Sequence, residues 1–93
     1  KGWVMADMTA GISASYNVSS VTDGGTGTVQ VNWGTDFSSS AYAPIAIAKS
    51  DNAYFSHIFN TTFNGATTVV LVKDTAGSLV DPNHIFCAAF GDQ

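Results

Sequence analysis

The sequence contains no glutamate and no arginine, and its whole positive inventory is Lys1, Lys49 and Lys73. With a net charge of −4, these scattered lysines offer no basic stripe to neutralise phosphates, so no nucleic-acid partner is expected. No apolar run approaches the roughly 18 residues that span a bilayer, and no basic-then-apolar leader opens the chain. Neither membrane insertion nor secretion is expected. The single cysteine, Cys87, cannot close an intrachain disulfide, which excludes a disulfide-stapled scaffold. Stability must come from packing or assembly. Charged residues make up only 11% of the chain, against 45% apolar. Soluble domains ordinarily carry roughly a quarter charged residues, so this deficit points to surface covered by partner chains.

The 93 residues suit one domain spanning 1–93. The chain opens on Lys1 rather than Met, which suggests a fragment or processed product of something longer. Ser, Thr, Gly, Val and Asn dominate, and helical periodicity is absent, so an all-β fold follows. Trp3 to Met5 begins a first strand. In a second, Ile12, Ala14 and Tyr16 alternate with Ser13 and Ser15, and the run extends towards Val18 and Val21. Asp23-Gly24-Gly25 and Gly27 provide a tight turn. The next strand carries Val29, Val31 and Trp33 on one face and Thr28, Gln30 and Asn32 on the other, completing a β-hairpin.

Further strands are expected over Tyr42–Ala48, Tyr54–Phe59, Val69–Lys73 and Ile85–Phe90. Pro44 places the first of these at a sheet edge or itself at a non-bonded position, with Ile45 and Ile47 on the face opposite it. The β-branched run from Val69 suits burial on both faces. Turns at Asp74–Gly77 and Asp81-Pro82-Asn83 separate the last two. The spacing predicts a small antiparallel β-sandwich of about seven strands.

Several residues bear on chemistry. Cys87 with His84 or His57 is a nominal thiol and base, yet strand residues three apart face opposite ways, so Cys87 reads as a small core hydrophobe. His57, His84, Asp51 and Asp81 lack the paired spacing of metal ligands, and no cofactor is expected; an oligomer could still gather copies of one histidine on its axis. Asp23-Gly24-Gly25 lacks the ligand pattern of a calcium loop and the lysine of a phosphate loop. Asn17-Val18-Ser19 and Asn60-Thr61-Thr62 match the N-glycosylation pattern, which matters only in a eukaryotic secretory setting. Of the aromatic residues Trp3, Tyr16, Trp33, Tyr42, Tyr54, Phe55, Phe59 and Phe63, most are expected in the core. The stretch 51–57 sets aromatic and polar groups among small residues, and Asp51, Asn52, Tyr54 and His57 are the candidate receptor contacts.

The run from Ala14-Ser15-Tyr16-Asn17-Val18-Ser19-Ser20-Val21-Thr22-Asp23-Gly24-Gly25-Thr26-Gly27 into Val29-Gln30-Val31-Asn32-Trp33 resembles a module of bacteriophage tail-fibre and other virion proteins. In that module an Ala-Trp-Val opening leads to a run like Ser-Tyr-Asn-Val-Ser-Ser-Ile-Thr-Asp-Asn-Gly-Thr-Gly, followed by an alternating strand. Gly2-Trp3-Val4 stands where the opening falls, Tyr42-Ala43 where a Tyr-Ala pair falls, and Phe86–Gly91 where the final strand falls. The resemblance is specific from Ser13 to Trp33. Residues 6–9 lack the family's glycine-threonine turn, and 52–65 carry no pattern of it.

The resemblance implies a place in the virion and a homotrimer at a fibre end. It transfers no catalytic residue, because the matched positions are strand and turn residues. The expected function is therefore non-enzymatic: a tail-fibre terminal domain that trimerises, contacts other virion proteins and binds a host cell-surface glycan or protein. The alternative is a structural head-fibre or capsid-decoration domain with no receptor role. A polysaccharide depolymerase built on paired aspartates is the weaker alternative, since the aspartates sit mainly at turns.

Overall fold

A computed structural model describes residues 1–58 and 64–93 of the chain. Phe59, Phe63 and the Asn60 glycosylation pattern lie outside the described residues. Eight strands form among the described residues: β1 (Gly2–Ala6), β2 (Ile12–Tyr16), β3 (Val18–Asp23), β4 (Thr28–Trp33), β5 (Ala43–Lys49), β6 (Phe55–Ile58), β7 (Thr67–Lys73) and β8 (His84–Phe90). They pair antiparallel into two four-stranded sheets, ordered β2-β1-β8-β5 and β3-β4-β7-β6. The all-β sandwich expected from the strand pattern is thus formed, with eight strands rather than seven.

The extra strand arises at Asn17. Its φ of 56° breaks the extended run between Tyr16 and Val18, a conformation that asparagine tolerates better than most residues. The side chain then holds the corner. Asn17 Oδ1 accepts from the Thr35 amide at 2.7 Å, and Nδ2 donates to the carbonyls of Lys1 at 3.2 Å and Thr35 at 3.3 Å. One apolar-alternating run is therefore divided between the two sheets.

The β3–β4 hairpin forms as its sequence predicts. Asp23 Oδ1 accepts from Gly25 N at 2.9 Å, and Gly25 and Gly27 take φ values of 103° and 69°. Inside the sandwich, Val29, Val31 and Trp33 of β4 meet Val70 and Val72 of β7, Val4 and Ala6 of β1, and Ile85, Cys87 and Ala89 of β8. One polar lock crosses this core. Trp33 Nε1 donates to Thr68 Oγ1 at 3.1 Å, and the Tyr42 hydroxyl meets the same oxygen at 2.6 Å and donates to the Thr67 carbonyl at 2.9 Å.

Two expectations about burial are corrected. Of the aromatic residues expected mostly in the core, Trp33 and Tyr42 are buried and Tyr54 half-buried, whereas Trp3, Tyr16 and Phe55 stand in solvent. β2 is a sheet edge with both faces open, so its alternation buries nothing. β5 is the other edge, as Pro44 predicts, yet Ala46 and Ala48 turn inward against the core while Ile45 and Ile47 point out.

The β1–β2 connection is organised by Asp7. Its Oδ1 accepts from Gly11 N at 2.8 Å and from the Thr9 amide and hydroxyl, each at 2.9 Å. The backbone bond from Gly11, followed by those from Thr9, holds the carboxyl below its ordinary value. An acid with a lowered folded value contributes stability at neutral pH that is lost as pH falls through that value. Asp7→Asn is therefore expected to melt below the parent chain at neutral pH. The difference should shrink as pH falls through the lowered value and the carboxyl loses its charge; a gap unchanged by pH would show that the charge contributes nothing.

Candidate functional site

The contact residues picked from the sequence fall at the corner where β5 passes into β6. Ser56 turns inward and its Oγ donates to the Ala46 carbonyl at 2.7 Å, pinning the two strands together. This fixes the loop before β6. Asp51 and Asn52 are exposed in that loop, and Tyr54 N closes a short turn onto the Asn52 carbonyl at 3.0 Å. The Tyr54 ring packs partly against the core, while its hydroxyl accepts a long bond from Asn52 Nδ2 at 3.4 Å. Tyr54 thus shapes the loop as well as lining it.

His57 stands apart from this group, exposed on β6 opposite Leu71. Phe55 shares its outward face and is 60% exposed. The structure therefore brings Asp51, Asn52 and Tyr54 into one loop and sets His57 with Phe55 on the adjoining strand. A carboxylate, an amide, an imidazole and an open aromatic ring suit hydrogen bonding and stacking with a polar ligand such as a sugar. Phe55 was not singled out as a contact from sequence, because a phenylalanine in a short β run ordinarily reads as core.

Cys87 and His84 do not meet. Cys87 pairs with Val4 on the inner face of β8, fully buried, whereas His84 lies on the outer face beside Lys49. Burial pushes the Cys87 thiol up to about 12, so the thiolate needed for nucleophilic attack is not populated at neutral pH. His84 Nδ1 is shut from water without a hydrogen-bond partner among the described residues. His57 and His84 lie in different sheets, and no three metal-ligating side chains are grouped among the described residues.

Four of the seven aspartates serve turns. Asp7 binds the amides of Thr9 and Gly11, Asp23 that of Gly25, Asp74 those of Ala76 and Ser78, and Asp81 that of Gly27. The Asn17 side chain is likewise committed to its corner.

The largest surface feature escaped the sequence reading. The sheet β2-β1-β8-β5 turns outward a row of Tyr16, Trp3, Ala88 and Ile45, and a second row of Ala14, Met5, Phe86 and Ile47. Phe90 and Ala43 extend it at one end, and Lys49 and His84 bound it at the other. The opposite sheet turns outward Ser20, Thr22, Gln30 and Asn32, bonded to one another through Asn32 Nδ2 to Ser20 and Thr22 at 3.0 Å and Gln30 Nε2 to Asn32 at 2.7 Å. One side of the sandwich is apolar across its four strands, and the other carries a hydrogen-bonded polar ladder on its β3–β4 half. In comparisons with known proteins, no family model, no curated protein and no solved structure matches the chain.

Proposed function

We propose that this chain is a non-enzymatic module of a bacteriophage virion, the terminal domain of a tail fibre, which assembles with copies of itself and attaches to a host-surface glycan or protein. The observation that carries the attachment reading is the corner at β5–β6, where Asp51 and Asn52 stand open in the loop and Phe55 and His57 stand exposed on the strand that follows it. A rigid sandwich presenting aromatic and polar side chains at one corner is a common way to bind ligands without chemistry. The resemblance of Ser13–Trp33 to virion modules supplies the setting and the homotrimer, and the low charge agrees with surface covered by partner chains.

The purified domain should compete with phage for its host cells, and the variant Asn52→Ala/Phe55→Ala/His57→Ala should lose that competition while keeping the parent far-UV spectrum. Competition equal to that of the parent would remove the corner from receptor binding. A second reading, a structural head-fibre or capsid-decoration domain, is favoured by the apolar outer sheet face, which assembly needs and receptor binding does not. Under that reading the parent domain itself leaves adsorption untouched.

A further inference from the structure

The sheet β2-β1-β8-β5 is covered on one side by the core, and its other side is nearly free of polar side chains. Trp3, Tyr16, Ile45, Ile47 and Phe90 on that side are 37%, 56%, 52%, 57% and 52% exposed. At roughly 100 Å² for each half-exposed large side chain, they leave roughly 500 Å² of apolar surface in one patch. Met5, Phe86, Ala14 and Ala43 enlarge it further. A patch of this size is at the upper end for a monomer, and it approaches the roughly 600 Å² per partner at which stable interfaces begin. Its composition matches the centre of a protein interface, with aromatic residues and methionine inside and Lys49 and His84 at the rim.

We infer that the outer face of β2-β1-β8-β5 is the surface through which copies of this chain associate with one another. Charge selects the occupant. The chain carries −4 overall, so two copies repel wherever their aspartates approach. Yet every aspartate lies in a loop, in a turn or at a strand end, and none in the two apolar rows. On this face like-charged copies can meet with no aspartate in either apolar row, Asp7 standing only at the rim beside His84. A partner recruited through charge would instead find its complement at the aspartate-bearing turns. On the opposite sheet the β3–β4 half carries polar groups bonded to one another and suited to water, and apolar Leu71 and Phe55 stand only on its β7–β6 half.

The inference rests on the self-association in the proposed function and adds the surface that performs it. Light scattering on the parent domain should give a multiple of 9.7 kDa. Ile45→Lys/Ile47→Lys places two cations on the exposed side of an edge strand, where they need not disturb the core. It should weaken association about a hundredfold or more and return the monomer mass. Thr22→Lys, on the opposite sheet, should leave the parent mass. Because Cys87 is buried, Ile47→Cys supplies a single accessible thiol, and a short bismaleimide should link copies through it. If the double variant loses its far-UV spectrum, the Ile47→Cys crosslink decides the matter. A parent that is multimeric but keeps its mass in the lysine variant, or fails to crosslink at position 47, overturns this face while leaving self-association standing. A monomeric parent overturns both.

Discussion

Replacing Trp33 by alanine is expected to lower the unfolding free energy by about 3–5 kcal/mol. The indole is 3% exposed and fills the centre of the sandwich. Its edge meets the Phe37 ring at 5.6 Å and 88°, and Phe37 stacks in turn on Tyr42 at 4.2 Å. Gly2 of the facing sheet lies so close that an added Cβ would fall 2.7 Å from the indole. Nothing larger than glycine fits there, so β1 and β4 approach only because the ring is flanked by hydrogen. A chain of 93 residues ordinarily holds about 5–14 kcal/mol in total, so this one cavity removes a large share of it. Urea unfolding followed by far-UV dichroism reads the change. Thr68→Val isolates the polar part: it keeps the shape but removes the hydroxyl that Trp33 Nε1 and the Tyr42 hydroxyl share in the core, at a cost of about 1–3 kcal/mol. A loss under 1 kcal/mol in Trp33→Ala would mean that the ring is not packed between the sheets.

The second large effect is alkaline. At neutral pH the folded and unfolded chains both carry the Cys87 proton. Between the ordinary thiol value of 9.0 and the folded value of about 12, the unfolded chain releases its proton while the folded chain keeps it. Stability therefore falls as pH rises through that window, by roughly 1.4 kcal/mol per unit and about 4 kcal/mol across it. Burial raises the Tyr42 hydroxyl too, adding in the same direction. The control is Cys87→Ala, which gives up a little packing at every pH and should lose the thiol's share of the pH dependence. The urea midpoint of the parent should drop more steeply than that of Cys87→Ala between about pH 8 and pH 11. Parallel curves would mean that water reaches the thiol.

Some of this architecture is written in local sequence. Val29, Val31 and Trp33 alternate with Thr28, Gln30 and Asn32, and the structure buries the first set and exposes or half-buries the second. Asp23-Gly24-Gly25 can turn the chain with little help from elsewhere, because its own carboxylate and glycine φ values close the hairpin. Pro44 is compatible with the edge it occupies because a missing N–H breaks no ladder bond on the open side of an edge strand. The contact loop was legible in part. Asp51 and Asn52 sit among small polar residues that read as loop, but Tyr54 is drawn into packing and Phe55 is left out of it.

What local sequence determined was which side chains share a face. The side of each strand that meets another sheet was decided only in the tertiary structure. The period of a strand is two whichever face is covered, so the pattern puts Ile45 and Ile47 on one face but leaves open whether that face is inside until the neighbouring strands are in place. Where β5 closes against β6, Ser56 draws the strands together, and the interior there takes Ala46 and Ala48 while the isoleucines stay outside. The same holds at Asn17. Its tolerance for positive φ is a local property, but the passage of the chain from one sheet to the other is held by bonds to Lys1 and Thr35, far away in sequence. The all-β class, the hairpin and the edge proline are thus properties of the residues themselves. The apolar outer face of β2-β1-β8-β5 and the polar ladder on β3 and β4 belong to the packed sandwich.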